Sequence, residues 1–159
     1  MSQNGKQDRS FTTAFTVNRT LEEVFDAVSD VRSWWSGEID GPTRAPGDVF
    51  TYRYKNLHLS RQEVVEAVRG KRVVWRVLEG RLEFVKKKEE WTGTECVFDI
   101  TRKGAATELR FTHRGLLPDC DCFEACEKGW TFYIQGSLRE LLTQGKGASQ
   151  LRESGPAHR

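Results

Sequence analysis

A chain of 159 residues has the size of one domain and is long enough to bury one hydrophobic core. Its 25 basic and 23 acidic residues leave a net charge of +2, which excludes the strong positive field typical of nucleic-acid-binding proteins. The mean hydropathy is −0.62, and no apolar run approaches the roughly 20 residues that cross a bilayer. Since no segment resembles a signal peptide, we expect a cytoplasmic protein whose four cysteines stay reduced.

The first elements are a strand and two helices. The alternation of apolar and polar residues in "SFTTAFTV" predicts a strand over 10–17 with one buried face. Thr20 and Glu23, three residues apart, match the capping box that begins a helix. A second, short helix is expected to carry the neighbouring Trp34 and Trp35.

A block of antiparallel strands follows, joined by turns rich in Gly and charge. The predicted strands are 48–54, 58–68, 73–77, 95–101 and 108–114. The segment 37–48 is expected to be a Gly/Pro loop and the segment 78–94 to be irregular. Arg53, Arg76 and Arg110 alternate with apolar residues, so they are expected on the solvent face of the sheet.

The chain closes with a long amphipathic helix, predicted over 121–147. Asp121 followed by Glu124 matches a capped helix start, and Gly145 suits the stop. The predicted apolar side comprises Phe123, Cys126, Trp130, Tyr133, Ile134, Ser137, Leu138 and Leu141. Strands in a block followed by one helix indicate an α+β fold, with the helix laid across one sheet face.

The domain organisation predicted from composition is simple. Residues 1–9 are polar and aperiodic and are expected to form a flexible arm. A single domain spans 10–147. Residues 148–159 are rich in Gly, Ser and charge and are expected to be disordered.

Four stretches carry a resemblance to a known superfamily: "FTTAFTVNRTLEEVFDAVSD", "EEWTGTECVFDIT", "TELRFTHRGLLP" and "GWTFYIQGSLRELLTQGKG". Over 11–147 the chain resembles the helix-grip (SRPBCC) superfamily, which includes START lipid-transfer domains, the birch-pollen allergen and polyketide-cyclase-like proteins. The segments "WTGT", "FTHRGL" and "SLRELL" resemble one branch more narrowly. That branch is named for the activator of the heat-shock-protein-ninety ATPase, here in its small bacterial single-domain form.

The resemblance implies a curved antiparallel sheet of six or seven strands around a long C-terminal helix, with two short helices after the first strand. It also implies a cavity between sheet and helix, which different members use for apolar or aromatic ligands. The heat-shock-protein activator has an additional N-terminal domain that this chain is too short to supply. ATPase stimulation and a chaperone partner are therefore weaker expectations than ligand binding.

The segment "DCDCFEACEKGW" holds Cys120, Cys122 and Cys126 and allows three interpretations. The C-x-C and C-x₃-C spacings match no closed zinc pattern, so no metal site is predicted. A thiol at a helix start would have a lowered pKa, so Cys120 or Cys122 could be reactive. The favoured interpretation is three small, buried or half-buried residues at a helix start.

The histidines offer one weak catalytic candidate. His113 is expected on the inner face of a strand, where a general base would be useful. No Ser-His-Asp set or carboxylate pair surrounds it in the pattern, so a histidine satisfied by a neighbouring hydroxyl or carbonyl is favoured. His58 is expected in a hairpin turn and His158 in the tail, and neither is a strong candidate.

The aromatic residues give the stronger prediction, because five Trp and nine Phe must be buried against something. A set on converging faces is expected to line a ligand cavity. It comprises Trp34, Trp35, Phe50, Tyr52, Tyr54, Trp75, Phe98, Phe111, His113, Cys126, Trp130 and Tyr133. Plain core packing is expected for about half of them.

The resulting hypothesis is a binding protein for a small hydrophobic or aromatic ligand, such as a lipid or a polyketide-like metabolite. Two alternatives stay open. One is a cyclase- or hydrolase-like enzyme that uses the same cavity, and the other is a co-chaperone-type partner of a heat-shock ATPase. No cofactor and no nucleic-acid partner are expected.

Overall fold

Alternating apolar residues build a seven-stranded antiparallel sheet, seen in a computed structural model that describes residues 9–145. The strands are β1 (Phe11–Val17), β2 (Glu38–Asp40), β3 (Val49–Tyr54), β4 (His58–Val68), β5 (Arg72–Leu82), β6 (Glu95–Lys103) and β7 (Ala106–Arg114). Their order is β1-β7-β6-β5-β4-β3-β2, and every neighbouring pair is antiparallel. The expected tail, and the expected arm apart from Arg9, lie outside the described residues.

The helices flank this sheet in the predicted order. Helix α1 (Leu21–Ser29) has the predicted capping box, with hydrogen bonds of 2.9 and 3.0 Å between Thr20 and Glu23. The second helix is only a 3₁₀ turn (Val31–Ser33), so Trp34 and Trp35 follow it instead of lying within it. The α+β class and the closing helix are as expected.

The C-terminal helix is continuous but changes pitch. It runs as α2 (Phe123–Thr131), a π-helical stretch (Phe132–Leu138) and α3 (Arg139–Gln144), and Gly145 ends it with φ +85°. The wider π turns hold one extra residue, which delays the apolar stripe. Leu142 is therefore buried where the pattern predicted Leu141, which is only partly buried.

The predicted cap of that helix is wrong. Helix α2 begins at Phe123, and neither Cys122 nor Asp121 caps it with a side chain. Instead the carboxylate of Glu90 accepts the backbone N–H groups of Asp121 and Cys122, at 3.1 and 3.2 Å. A carboxylate is favourable at the positive end of a helix, wherever in the chain it comes from.

Two segments expected to be loops contribute strands. Residues 38–40 form the short edge strand β2, and residues 78–82 continue β5. The pairing of β4 with β5 shifts register after Arg61, so that Glu79 and then Val77 face consecutive residues of β4. This bulge at Leu78 changes which residues face inward, and it hides the second half of β5 from a search for strict alternation.

The irregular segment after β5 folds back onto that strand. Thr92 Oγ1 accepts the Gly80 N–H at 3.1 Å, and the Val77 carbonyl accepts the Gly93 N–H at 2.8 Å. These bonds press Trp91 onto the sheet, where it is 3% exposed. The glycine at position 80 makes this approach possible, because a Cβ there would lie 2.5 Å from the Cβ of Trp91.

Replacing Gly80 with Ala should therefore destabilise the protein by about 1–3 kcal/mol, since Trp91 has to move away from β5. The matched control is Gly136→Ala in the C-terminal helix, where an added Cβ meets nothing within 4 Å. That change should raise stability by up to about 1 kcal/mol, because Ala is the better helix former. Urea unfolding followed by Trp fluorescence measures both, and equal effects would contradict the close packing at Gly80.

Candidate functional site

A cavity of about 220 Å³ lies between the C-terminal helix and the β3–β5 side of the sheet. It is lined by Trp35, Tyr52, Tyr54, Leu57, His58, Leu82, Phe84, Trp91, Ala125, Cys126, Gly129, Trp130 and Tyr133. Leu57 and Phe84 are 43% and 46% exposed and lie at its mouth. None of these described lining residues is Asp, Glu, Lys or Arg, so the walls carry aromatic rings, aliphatic groups and a few neutral polar atoms.

Stacked rings form the walls, and all five tryptophans of the chain belong to one aromatic cluster. Trp35 stacks on Tyr52, with ring centroids 3.9 Å apart and planes 8° apart. Trp91 lies parallel to Trp130 at 5.8 Å, and Trp130 contacts Trp35 at 5.3 Å. The cavity is thus bounded by rings that hold one another in place.

The predicted aromatic set divides between the walls and the core behind them. Trp35, Tyr52, Tyr54, Cys126, Trp130 and Tyr133 line the cavity, whereas Trp34, Phe50, Trp75, Phe98, Phe111 and His113 are buried without lining it. The pattern missed Leu57, His58, Leu82, Phe84, Trp91, Ala125 and Gly129. Only Trp91 gave a usable signal, since a lone Trp in a charged segment still needs burial.

A group of hydroxyls lies at the wall, two of them on the lining residues Tyr52 and Tyr133. The hydroxyls of Ser36 and Tyr133 are hydrogen-bonded to each other, and Tyr52 interacts with both. Burial, reinforced by the neighbouring Tyr133, raises the pKa of Tyr52 above its ordinary value. The Tyr52 phenol therefore stays protonated and neutral.

His113 lies behind the wall as a hydrogen-bonded core residue. The indole N–H of Trp130 donates to Nδ1 at 3.0 Å, which places the ring proton on Nε2 for donation to Thr94 Oγ1 at 2.8 Å. The Thr94 hydroxyl in turn donates to the Trp91 carbonyl at 2.6 Å. Burial, and then the nearby His58, lower the pKa of His113 to about 3, so it holds Trp130 in place as a neutral ring.

His58 lies at the cavity and not in a turn, because it is the first residue of β4. Its ring makes T-shaped contacts with the rings of Tyr52 and Trp91, with centroids 4.9 and 4.6 Å apart. Its Nε2 lies 3.1 Å from Ser60 Oγ. The residue keeps some exposed surface, but burial of the ring lowers its pKa to about 3. A neutral imidazole is the most polar ring in the cavity wall.

The three neighbouring cysteines have different surroundings. Cys126 lines the cavity, and its Sγ accepts the indole N–H of Trp91 at 3.3 Å. The neighbouring Cys122 thiol and then Trp91 lower the pKa of Cys126 despite its burial. The expectation of a lowered pKa at Cys120 or Cys122 is wrong. Burial raises the pKa of Cys120, and donation to Cys126 followed by burial raises that of Cys122.

The described part of the chain holds no cluster of three or more His, Cys, Asp or Glu side chains that could bind a metal ion. Cys96, which pairs with His113 across β6 and β7, is fully buried, and burial raises the pKa of its thiol. Residues 9–145 also include no helix long and apolar enough to cross a bilayer.

A family model described as Activator of Hsp90 ATPase homolog 1-like protein matches residues 18–143. The chain belongs to this family. The match extends from α1 to the last helical turn, so it contains every element that lines the cavity. A search of curated proteins found no match.

Solved structures with the same fold differ widely in sequence. The Aha1 dimer from Colwellia psychrerythraea is 22% identical, with a TM-score of 0.69, 87% of this chain covered and 98% of that chain. DynU16, a putative protein in the dynemicin biosynthetic locus, is 19% identical with a TM-score of 0.66, and the match covers 89% of this chain and 50% of DynU16. CalU16 from Micromonospora echinospora is 15% identical with a TM-score of 0.57, and the match covers 86% of this chain and 77% of CalU16. These likenesses show the fold of the family.

The two neutral histidines predict how stability depends on pH. Burial lowers the pKa of His58 and His113 from the ordinary histidine value of 6.5 to about 3. Between these two pH values the unfolded chain therefore binds protons on both histidines, and the folded protein does not. Stability is therefore lost as the pH falls from 6.5 towards about 3. Each histidine contributes a slope of up to about 1.4 kcal/mol per pH unit.

Urea unfolding of the wild type and His58→Gln at about pH 6 and pH 5 tests this linkage. The variant should lose less free energy of unfolding over that interval, because one of the two excluded protons is gone. Carboxylates titrate equally in both proteins and cancel in the comparison. An equal loss in both proteins would contradict the lowered pKa, because it would mean that His58 takes up protons in the folded protein as it does in the unfolded chain.

Proposed function

We propose that the protein binds a small, neutral aromatic ligand in the cavity between the sheet and the C-terminal helix. The observation that carries the proposal is the composition of the wall, where stacked rings surround an open space without a charged side chain. Small-molecule sites are commonly apolar clefts with a few polar groups that fix orientation. The family's fold, with its helix laid over a sheet, is compatible with such a cavity.

The volume favours a compact ligand over a long lipid. The cavity measures about 220 Å³, below the roughly 300–1,000 Å³ of typical small-molecule pockets. A ligand with one ring or two fused rings would contact Trp35, Trp91 and Trp130 together. A polyketide-like aromatic fragment fits this description better than an acyl chain.

The polar atoms of the wall favour an uncharged ligand with a carbonyl or hydroxyl group. The Tyr52 phenol and the His58 imidazole are both neutral, so neither can balance a carboxylate. Moving an unpaired carboxylate into such surroundings costs several kcal/mol. Neutral hydrogen-bonding groups in a mostly apolar wall give orientation without that cost.

The two other functions have less support. Among the candidates for the enzyme alternative, which were His113, Tyr133 or a buried acid, His113 has both ring nitrogens engaged in hydrogen bonds behind the wall, and the Tyr133 hydroxyl is hydrogen-bonded to Ser36. A co-chaperone would act through the outer surface, where the predicted Arg53, Arg76 and Arg110 pair with acidic neighbours. Exposed pairs of this kind are common on solvated sheet faces.

A matched pair of compounds tests the proposal. The neutral 4-phenylbutan-2-one should quench or shift the Trp fluorescence in a saturable way, because it stacks on Trp35 and Trp130. The similarly sized 3-phenylpropanoate should bind at least about tenfold more weakly, since its carboxylate has no cation in the wall. Equal affinity for both compounds, or no saturable binding of the ketone, would reject a site for neutral ligands.

A bulky side chain introduced into the cavity wall tests whether the ligand binds there. Ala125→Phe places a ring at an exposed helical position on the cavity wall and should block ketone binding while leaving the core intact. The control, Ala105→Phe, makes the same change in the exposed turn between β6 and β7 and should leave binding unchanged. Isothermal titration or fluorescence measures both affinities. Unchanged binding in Ala125→Phe would place the ligand elsewhere.

A further inference from the structure

The inner wall carries one nucleophile that ligand binding alone does not use. Cys126 lies on α2, is 8% exposed and lines the cavity together with Trp91 and Trp130. The family resemblance gives no reason for a thiol at this place, and a small apolar residue would fill the same space. Reagents reach this thiol from the cavity, where an aromatic ligand would be held beside it.

The hydrogen bonds at Cys126 favour the thiolate. A thiol sulfur is ordinarily a weak acceptor, yet Cys126 Sγ accepts the indole N–H of Trp91 at 3.3 Å. Cys122, one helical turn earlier, is fully buried, and its thiol acts in the same direction on the pKa of Cys126. A donor aimed at the sulfur stabilises a negative charge on it.

The groups that surround Cys126 act in both directions. Donation from Cys122 and from Trp91 lowers its pKa, whereas burial and the nearby carboxylate of Glu90 raise it, and the lowering is the larger effect. Glu90 is directed elsewhere, since its two oxygens accept the backbone N–H groups of Asp121 and Cys122. The thiolate is thus more populated at Cys126 than at a free cysteine.

We propose that Cys126 is the nucleophile of a covalent capture site, which adds to an α,β-unsaturated carbonyl group on an aromatic ligand held in the cavity. The inference rests on the proposed function, because the rings of the wall have to position the ligand. A cytoplasmic location, in which thiols stay reduced, belongs to the same proposal.

The reaction balances without an oxidant or a cofactor. The thiol proton passes to solvent, the sulfur attacks the β-carbon, and a carbon–sulfur bond forms as the carbon–carbon π bond breaks. The electron pair moves to the carbonyl oxygen, and a proton from solvent returns to the α-carbon. Nothing leaves, so the adduct carries the full mass of the ligand.

The test uses 4-phenylbut-3-en-2-one with the full chain, followed by intact mass and peptide mapping. A single adduct of full mass is expected at Cys126, although Cys120 is the more exposed thiol. The saturated 4-phenylbutan-2-one should slow the labelling by competition, because it occupies the cavity but cannot add. Cys126→Ser should remove the adduct, and Cys120→Ser should leave it unchanged.

Two further variants separate a positioned nucleophile from an accessible thiol. Trp91→Phe keeps a ring in the wall but removes one donor, which should raise the midpoint of the pH–rate profile by about one unit and slow labelling about threefold at neutral pH. Cys122→Ala should slow it similarly, whereas Cys122→Ser keeps a hydroxyl donor and should restore the rate. Identical pH profiles for all of these proteins would overturn the role of the two donors.

The outcomes distinguish this proposal from the function on which it rests. Saturable binding of 4-phenylbutan-2-one without an adduct, or with an adduct only at Cys120, would overturn covalent capture and leave ligand binding in place. Absence of both binding and labelling would overturn both. Labelling at Cys126 that the saturated ketone does not slow would show a reactive thiol outside the ligand's position and would also overturn the proposal.

Discussion

The burial of five large indole rings is the constraint on which the rest of the structure depends. Trp34 and Trp35 come from the segment after α1, Trp75 from β5, Trp91 from the loop after β5, and Trp130 from the C-terminal helix. Each is at most 3% exposed, and contacts between the rings connect all five. Because each structural layer contributes at least one ring, the cluster joins the helix, the sheet and the loop to one another.

The same constraint brings polar groups into the core. An indole N–H that leaves water needs an acceptor, and Trp34 finds the Val28 carbonyl, Trp91 the Cys126 sulfur and Trp130 the His113 ring. His113 and Cys126 are thus explained first as acceptors for neighbouring tryptophans. Trp75 is different, since its buried N–H has no partner among the described residues. The cavity lies between these rings, where the sheet meets the C-terminal helix.

Local patterns were sufficient for much of the fold. Strict alternation identified β1, β6 and β7, and the capping box placed α1. The second half of β5 was missed because the bulge at Leu78 shifts the inward phase, which no fixed period detects. Only half of the predicted aromatic set lines the cavity. A sequence pattern shows which face of a strand is apolar, but it does not show which residues of that face border the cavity and which are covered by packing.

The cysteine segment shows where the limit of sequence reasoning lies. The spacings of its cysteines describe only neighbours along the helix, and they pointed to Cys120 or Cys122, at the helix start, as the thiol with a lowered pKa. The contact that separates Cys126 from the others comes from Trp91, 35 residues earlier, in a loop without periodicity. That loop is held on β5 by the close approach at Gly80. The hydrogen bond from Trp91 to Cys126 therefore depends on the absence of one methyl group in the sheet, which links the packing of the fold to the covalent capture proposed for the cavity.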